Sequence, residues 1–409
     1  MMFHPIPISK KEKNMETKKI QLSRRNLLRG SVAAIGATCI SGTSAVALAA
    51  EAEGSKIRPL TGKMTYEEVR NRAREMMVPR CYVCPECNGR GPCVGQVPGF
   101  GGMGASRGFQ ANYDSLAAVQ LNSRVVHGVH VPDTSIDFFG TKLALPVVAA
   151  PTGGTTYNMG GKLTEAEFVT AICGGCNKAG TLGAVADGIG DPIDVFEKRL
   201  DTLKTLGYKA IVGLKPRLQK DIIERMRLAE QAGVVALTID LDSAGRAARA
   251  TKGQTVEPKT LEQLKELVKA SKLPLLMKGI MTPDEAELCI QAGAAGIVVS
   301  NHGGRTLADT PGVAAVLPRI ADKVNGRCYI MADGTLARGT DIEKYLALGA
   351  NCTLSGRHFI RAAHGGLEDG VALFANRMKN ELAVAMVLTG AQTIKDIDRR
   401  MVLIPGSGC

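Results

Sequence analysis

From Leu145 onward the chain alternates short apolar runs with amphipathic stretches. The runs are LPVVAA from 145, TLGAVA from 181, YKAIVGL from 208, VVALTID from 234, LPLLMKG from 273, AGIVVSN from 295, CYIMADG from 328 and NCTLSG from 351. Each has the length of a strand and is apolar on both faces, as a strand in a helix-covered parallel sheet must be. Stretches such as 217–233 and 260–271 carry apolar residues at helical spacing. Gly180, Gly207, Gly233, Gly293 and Gly349 stand just before the next run, where helix C-caps belong. Eight such units predict an α/β fold, a (β/α)8 TIM barrel over 134–404. An open, doubly wound sheet is the competing topology.

Residues 51–133 break this rhythm. They hold one helical stretch, TYEEVRNRAREMM from 65, and a Cys/Gly-rich segment over 81–108. They read as an N-terminal extension packed on or across the barrel. Residues 405–409 form a short tail. Residues 1–50 read as a leader: Ser23-Arg24-Arg25-Asn26-Leu27-Leu28-Arg29 matches a twin-arginine signal, and an Ala/Gly-rich apolar stretch with small-residue cleavage sites follows. This predicts export by the twin-arginine translocase, to the periplasm or the outer face of the cytoplasmic membrane. That route carries folded proteins and so suits a chain that takes up a cofactor first.

Charge adds little. Of the net +12, residues 1–50 account for +6 and leave +6 for the rest. A mildly basic barrel helps to attract anionic substrates, and no motif points to nucleic acid.

In such barrels chemistry sits at the C-terminal strand ends. After the first run stand Pro151, Thr152 and Gly153; after the third, Lys215; on the fourth, Thr238 and Asp240, with Asp242 beyond; on the fifth, Lys278. The sixth ends in Ser300-Asn301-His302-Gly303-Gly304-Arg305, the seventh in Asp333-Gly334 and the eighth in Gly356-Arg357. The last two ends are the usual phosphate site of this fold, where glycines admit backbone N–H groups and Arg357 supplies a two-donor fork. In the sixth, His302 and Arg305 are three residues apart on one Gly-rich turn. A guanidinium there fits a carboxylate, and an imidazole takes a proton from a neighbouring carbon or hydroxyl.

The run MKGIMTPDEAELCIQAGAAGIVVSNHGGR from 277, followed by Asp333-Gly334, GTDIEKYLALGA from 339 and Gly356-Arg357, resembles the FMN-dependent 2-hydroxy-acid oxidases and dehydrogenases, the glycolate oxidase and L-lactate dehydrogenase type. The resemblance spans about Thr134 to Thr389. It implies FMN as cofactor, oxidation of an L-2-hydroxy acid to a 2-oxo acid, and a homo-oligomer. It implies that His302 is the base, that Asp240 hydrogen-bonds it, that Arg305 binds the substrate carboxylate and that Lys278 stands by the flavin N1/C2 carbonyl. Pro151, Thr152, Gly153, Thr238 and Ser300 would then contact the flavin, and Asp333, Gly334, Gly356 and Arg357 its ribityl and phosphate.

The sequence departs from the family pattern in places. The stretch GQVPGFGGMGASRGF from 95 has no tyrosine where the family carries one. In GLKPR from 213, Lys215 takes the place of a second, substrate-contacting tyrosine. Arg246 only loosely matches a second substrate arginine, and the turn after Asp333 has lost one Gly and one Arg. The side-chain pocket is therefore changed, with Lys215 as a candidate substrate contact. Two other chemistries compete: an FMN barrel isomerase of the isopentenyl-diphosphate type, and a flavin electron relay. The electron acceptor has no motif of its own; oxygen, a quinone and a redox protein are the candidates.

Cys81, Cys84, Cys87 and Cys93 form C-x2-C-x2-C-x5-C. Four cysteines at this spacing suit an iron–sulfur cluster or zinc, and disulfides or free thiols are the alternative. Cys173 and Cys176 fall in a predicted helix and read as packing residues, while Cys289, Cys328 and Cys352 read as buried thiols.

Overall fold

The computed structural model describes residues 64–249 and 255–404, without the side chains of 246–249. The expected twin-arginine leader, residues 51–63 of the extension, the side chain of Arg246 and the tail 405–409 lie outside the described residues.

All eight apolar runs form strands: β1 (Val147–Ala149), β2 (Gly183–Ala186), β3 (Ala210–Leu214), β4 (Ala236–Asp240), β5 (Leu275–Ile280), β6 (Gly296–Val299), β7 (Tyr329–Ala332) and β8 (Cys352–Ser355). They lie parallel in the order β1-β8-β7-β6-β5-β4-β3-β2. The two ends of that order meet through a bridge between Thr152 and Val185 and a 3.0 Å bond from the Ala149 N–H to the Leu182 carbonyl. This closure makes the sheet a barrel and excludes the open, doubly wound alternative. The expected glycine caps all have positive φ, as a left-handed helix terminus requires.

Inward-facing Val148, Ala184, Ile211, Leu276, Val298, Met331 and Leu354 fill the barrel. A short hairpin, Ile136–Phe138 paired with Thr141–Leu143, joins this core through Phe138 and Leu143. The Phe138 ring meets Tyr329 edge-on at 5.6 Å. The hairpin thus seals the end of the barrel where β7 begins and leaves the opposite end for chemistry.

The described part of the extension, 64–133, belongs to the same compact unit as the barrel. Its helix Tyr66–Met77 starts at a reciprocal cap between Thr65 and Glu68. It packs on the final helix Arg357–Thr389, with Tyr66 stacked on Phe374. Contact there is so close that a Cβ on Gly365 would stand 1.9 Å from the Val69 carbonyl oxygen. A second extension helix, Arg107–Ala118, lies against the His302–Gly304 turn: a Cβ on Gly304 would strike the Phe109 nitrogen at 2.3 Å. Cys173, Cys176, Cys289 and Cys352 are buried as expected, whereas Cys328, at the solvent-facing start of β7, is only half-buried. Among the described residues no helix is long and apolar enough to cross a membrane.

Candidate active site

The strand ends open on a cavity of about 1110 Å³, counting the space at its mouth. Pro151, Thr152 and Gly153 form one wall, Lys215, Lys278, His302 and Arg305 the floor and rim, and Asp333, Gly334, Gly356 and Arg357 the far side. Thr238, Asp240 and Ser300 are buried behind this lining.

The backbone of the β6 turn is bent to present its imidazole. His302, Gly303 and Gly304 all have positive φ, and for His302 this is a strained conformation. Two contacts hold it: the His302 N–H donates to Ser300 Oγ at 3.0 Å, and Asn301 Oδ1 accepts the Gly304 N–H at 3.1 Å. Asn301 also ties the turn to the extension. Its Oδ1 accepts from Asn112 at 2.7 Å, and its amide donates to the carbonyls of Gly108 and Pro311.

The carboxylate partner of His302 is Asp242, not Asp240. Nδ1 lies 3.0 Å from Asp242 Oδ1 and 3.4 Å from Lys278 Nζ. A carboxylate only accepts, so Nδ1 carries the proton and Nε2 keeps its lone pair. Asp240 is engaged elsewhere: Oδ2 accepts from Lys215 Nζ, and Oδ1 is 3.4 Å from Lys278 Nζ. The reason lies on the neighbouring strand. A lysine at 215 puts an ammonium against Asp240, and the turn after β4 brings Asp242 under the imidazole. Gly279, at φ 103°, makes room for it, because a Cβ there would stand 2.7 Å from that of Asp242.

The electrostatics follow from burial and these partners. Burial alone would raise the Asp240 carboxyl, but Lys215 and then Lys278 hold it down at about 2. Burial works against the charge on Lys278, yet Asp240, Asp242 and Asp333 keep it firmly protonated. Burial, reinforced by Lys278, pushes His302 well below the usual histidine range. Asp333 is pushed up to about 6 by burial, against the pull of Lys278 and of its bond from Ser300. The resting site therefore presents a neutral imidazole beside fixed cations.

Arg305 reaches across the mouth, where its Nη2 donates to Asn158 Oδ1 at 3.0 Å, and Asn158 in turn donates to the Gly153 carbonyl. Lys215 lines the cavity but its ammonium turns to Asp240, so its first role is electrostatic and not that of a free substrate contact. Arg357 also differs from expectation. Its Nε and Nη2 donate to the carbonyls of Phe100 and Gly303, and its plane lies 3.9 Å over Phe109. The fork assigned to phosphate thus clamps the extension to the β6 turn. At the β7 and β8 ends the groups that could hold a phosphate are Gly334, Gly356 and the N-terminus of helix Arg357–Thr389, which line the cavity.

Four participants had no role in the sequence reading. Asp242 was visible only as a second acid past a strand end. Asn158 and Tyr157, which lines the cavity, follow the Pro151–Gly154 turn in a short helix, Thr155–Asn158. Tyr157 restores a phenol to a pocket that had lost the expected tyrosines. Asn112 belongs to the extension, and only the fold reveals its link to Asn301.

Of the cysteine cluster, Cys87 lines the cavity. Among the described residues the four cysteines form no disulfide, and no three His, Cys, Asp or Glu side chains converge tightly enough to hold one metal ion.

Known proteins resemble this chain in sequence and in fold. The chain is 32% identical to an L-lactate oxidase of Lacticaseibacillus rhamnosus over 337 residues, covering 74% of this chain and 89% of that protein. It is 29% identical to a peroxisomal (S)-2-hydroxyacid oxidase of Arabidopsis thaliana, over 74% of this chain and 90% of that one. A solved structure of mandelate oxidase shares the fold with a TM-score of 0.67 at 24% identity, over 84% of this chain and 98% of its own. The profile of the FMN-dependent dehydrogenase family matches residues 100–262 and 247–404. The protein that places His302, Asp242, Lys278 and Arg305 around this cavity belongs to the FMN-dependent dehydrogenase family.

Proposed function

We propose that the chain oxidises the hydroxyl-bearing carbon of a small L-2-hydroxy acid to a 2-oxo acid. One observation carries this reading: a neutral, carboxylate-bound imidazole, a guanidinium and a buried ammonium share one cavity at the barrel mouth.

The residues present fit FMN. Asp333 Oδ1 and Thr335 Oγ1 belong to cavity-lining residues, and both are buried with no hydrogen-bond partner in the protein, as is Thr238 Oγ1 below them. A polyhydroxyl chain satisfies such atoms. FMN supplies a two-electron sink that no side chain here offers.

The chain's own residues do the rest. Arg305, braced by Asn158, takes the substrate carboxylate as a charge-assisted pair. That pairing fixes the hydroxyl-bearing carbon near His302, whose Nε2 accepts the proton that must leave during oxidation. Asp242 holds the ring and stabilises the imidazolium as it forms. Lys278, kept charged by Asp240, sets a fixed cation at the cavity floor where negative charge develops on reduction. The isomerase and relay readings lose ground, because a carboxylate clamp beside a base matches an acid substrate.

Three further parts of the proposal rest on the sequence. The twin-arginine leader supports export to the periplasm or the outer face of the cytoplasmic membrane, the family pattern supports a homo-oligomer, and oxygen, a quinone or a redox protein takes the electrons. The activity is tested by incubating the holoprotein with a panel of L-2-hydroxy acids and an artificial electron acceptor, then assaying 2-oxo acid as its hydrazone. Formation of one 2-oxo acid supports the proposal; none from any acid, with flavin bound, overturns it.

A further inference from the structure

The four cysteines of the extension remain outside this chemistry, and their surroundings are unusual. Cys81 and Cys87 share one guanidinium partner, Cys84 and Cys87 line one cavity, and Cys93 follows in the same loop. A Cβ on Gly91 would come within 2.8 Å of Cys84 Sγ, so the loop closes tightly on that sulfur. The Val83 N–H points at Cys81 Sγ, 3.4 Å away.

Cations surround the group. Arg361 is only 8% exposed, and its guanidinium donates to Cys81 Sγ at 3.3 Å and to Cys87 Sγ at 3.0 Å. Among the described residues no carboxylate pairs with it. Burying a guanidinium against neutral thiols is costly, whereas an anionic sulfur centre offsets that cost. Arg70 and Arg74 fasten the loop further, donating to the carbonyls of Cys84 and Val83. Beside the loop lies a second cavity, of about 1230 Å³ with its mouth, where Cys84 and Cys87 meet five cations, Arg70, Arg338, Lys344, Arg361 and Arg377, against two acids, Glu86 and Asp341.

We propose that Cys81, Cys84, Cys87 and Cys93 ligate a [4Fe–4S] cluster next to the flavin cavity. Three observations select this occupant. The C-x2-C-x2-C run is that of bacterial cluster ligands. A single zinc needs its sulfurs gathered at ~2.3 Å around one point, and among the described residues no such convergence exists. The buried Arg361 guanidinium on two of the sulfurs, and the excess of cations over acids in the neighbouring cavity, match the net negative charge of a four-thiolate cluster.

Cys87 faces both cavities, and this gives the cluster a role that rests on the flavin reading. Each oxidised hydroxy acid gives up two electrons and two protons, the electrons with one proton to the flavin and the other proton to His302. The cluster would pass the electrons one at a time to two molecules of a one-electron redox protein, and both protons go to solvent.

The test uses the full chain, produced and purified without oxygen. About four iron and four acid-labile sulfide per chain are expected, with a rhombic electron paramagnetic resonance signal after dithionite. Stoichiometric zinc without sulfide, or disulfides among the four cysteines by mass spectrometry, overturns the cluster. Cys87→Ser should lose iron and sulfide but keep flavin, and Cys289→Ser should keep all three. If Cys87→Ser does not fold, Arg361→Gln serves instead: a shift in the cluster signal is expected, and an unchanged signal contradicts the placement. These readouts do not depend on turnover. Reduction by a hydroxy acid then tests the role: a cluster signal that follows flavin bleaching supports electron exit, and bleaching without it overturns that exit alone.

Discussion

The two acids at the end of β4 offer the sharpest separation of roles. Asp242→Asn keeps the size of the side chain and leaves an acceptor for the His302 Nδ1 proton, but removes the charge that stabilises imidazolium. Two unit charges 3.0 Å apart interact by roughly 5.5 kcal/mol at an effective dielectric of about 20, which bounds the effect. The neutral bond that survives offsets part of it, and losing charge assistance typically costs about 1.5–3 kcal/mol. At about 1.4 kcal/mol per tenfold, the reductive rate should fall by roughly 10- to 150-fold. Asp240→Asn acts differently. It strips a 1% exposed carboxylate from Lys215 and Lys278, and breaking a buried pair costs about 3–5 kcal/mol of stability. Its main signature is a Tm lowered by several degrees and weakened flavin binding. Anaerobic stopped-flow reduction and thermal melts of both variants make the comparison. A fully active Asp242→Asn beside a stable but inactive Asp240→Asn would falsify the assignment and return the imidazole to Asp240.

Other predictions concern separate parts of the account. Arg305→Met should raise KM by roughly 10- to 100-fold through loss of a charge-assisted pair, with the flavin spectrum unchanged; an unaltered KM argues that the carboxylate binds elsewhere. Only neutral His302 accepts a proton, and its pKa lies well below 6.5. The kcat/KM profile should therefore stay flat as pH falls through 6.5 and drop only in clearly more acidic solution; a break at or above 6.5 contradicts this. Glu343 is buried and does not line the cavity, and burial pushes its carboxyl up to about 7 against a bond from Thr389. A raised carboxyl favours folding below its unfolded value of 4.5, and that advantage is lost as pH rises through 7. Glu343→Gln should thus match the parent near pH 4 and exceed it near pH 8, by about 3 kcal/mol at most. Equal melts at both values would show that Glu343 is not desolvated.

Much of the architecture was legible because its signals are local. Strands buried on both faces leave continuous apolar runs, and the left-handed caps between them accept glycine with least strain. The hairpin at 136–143 gave no such signal: its strands have three residues each, and its aromatics answer to the barrel floor. The site was legible by residue type and less so by pairing. Asp240 and Asp242 differ by two positions, so a simple pleat puts both on one side. Which of them meets His302 is decided by Lys215, a residue from the next strand. Arg357 likewise reads as a phosphate fork until the extension supplies the carbonyl of Phe100. Asn301 sat inside a recognised motif, but its partners Asn112 and Gly108 are 189 and 193 residues away in sequence.

In the proposed reaction His302 drives reduction of a bound flavin by a 2-hydroxy acid. The most direct measurement is the visible spectrum of the anaerobic holoprotein during titration with L-2-hydroxy acids, beside His302→Ala loaded with the same flavin. The account predicts bleaching of the flavin band by at least one acid in the parent and none on the same timescale in the variant. A flavin band that no acid bleaches in the parent, or that bleaches equally fast in both proteins, would contradict it.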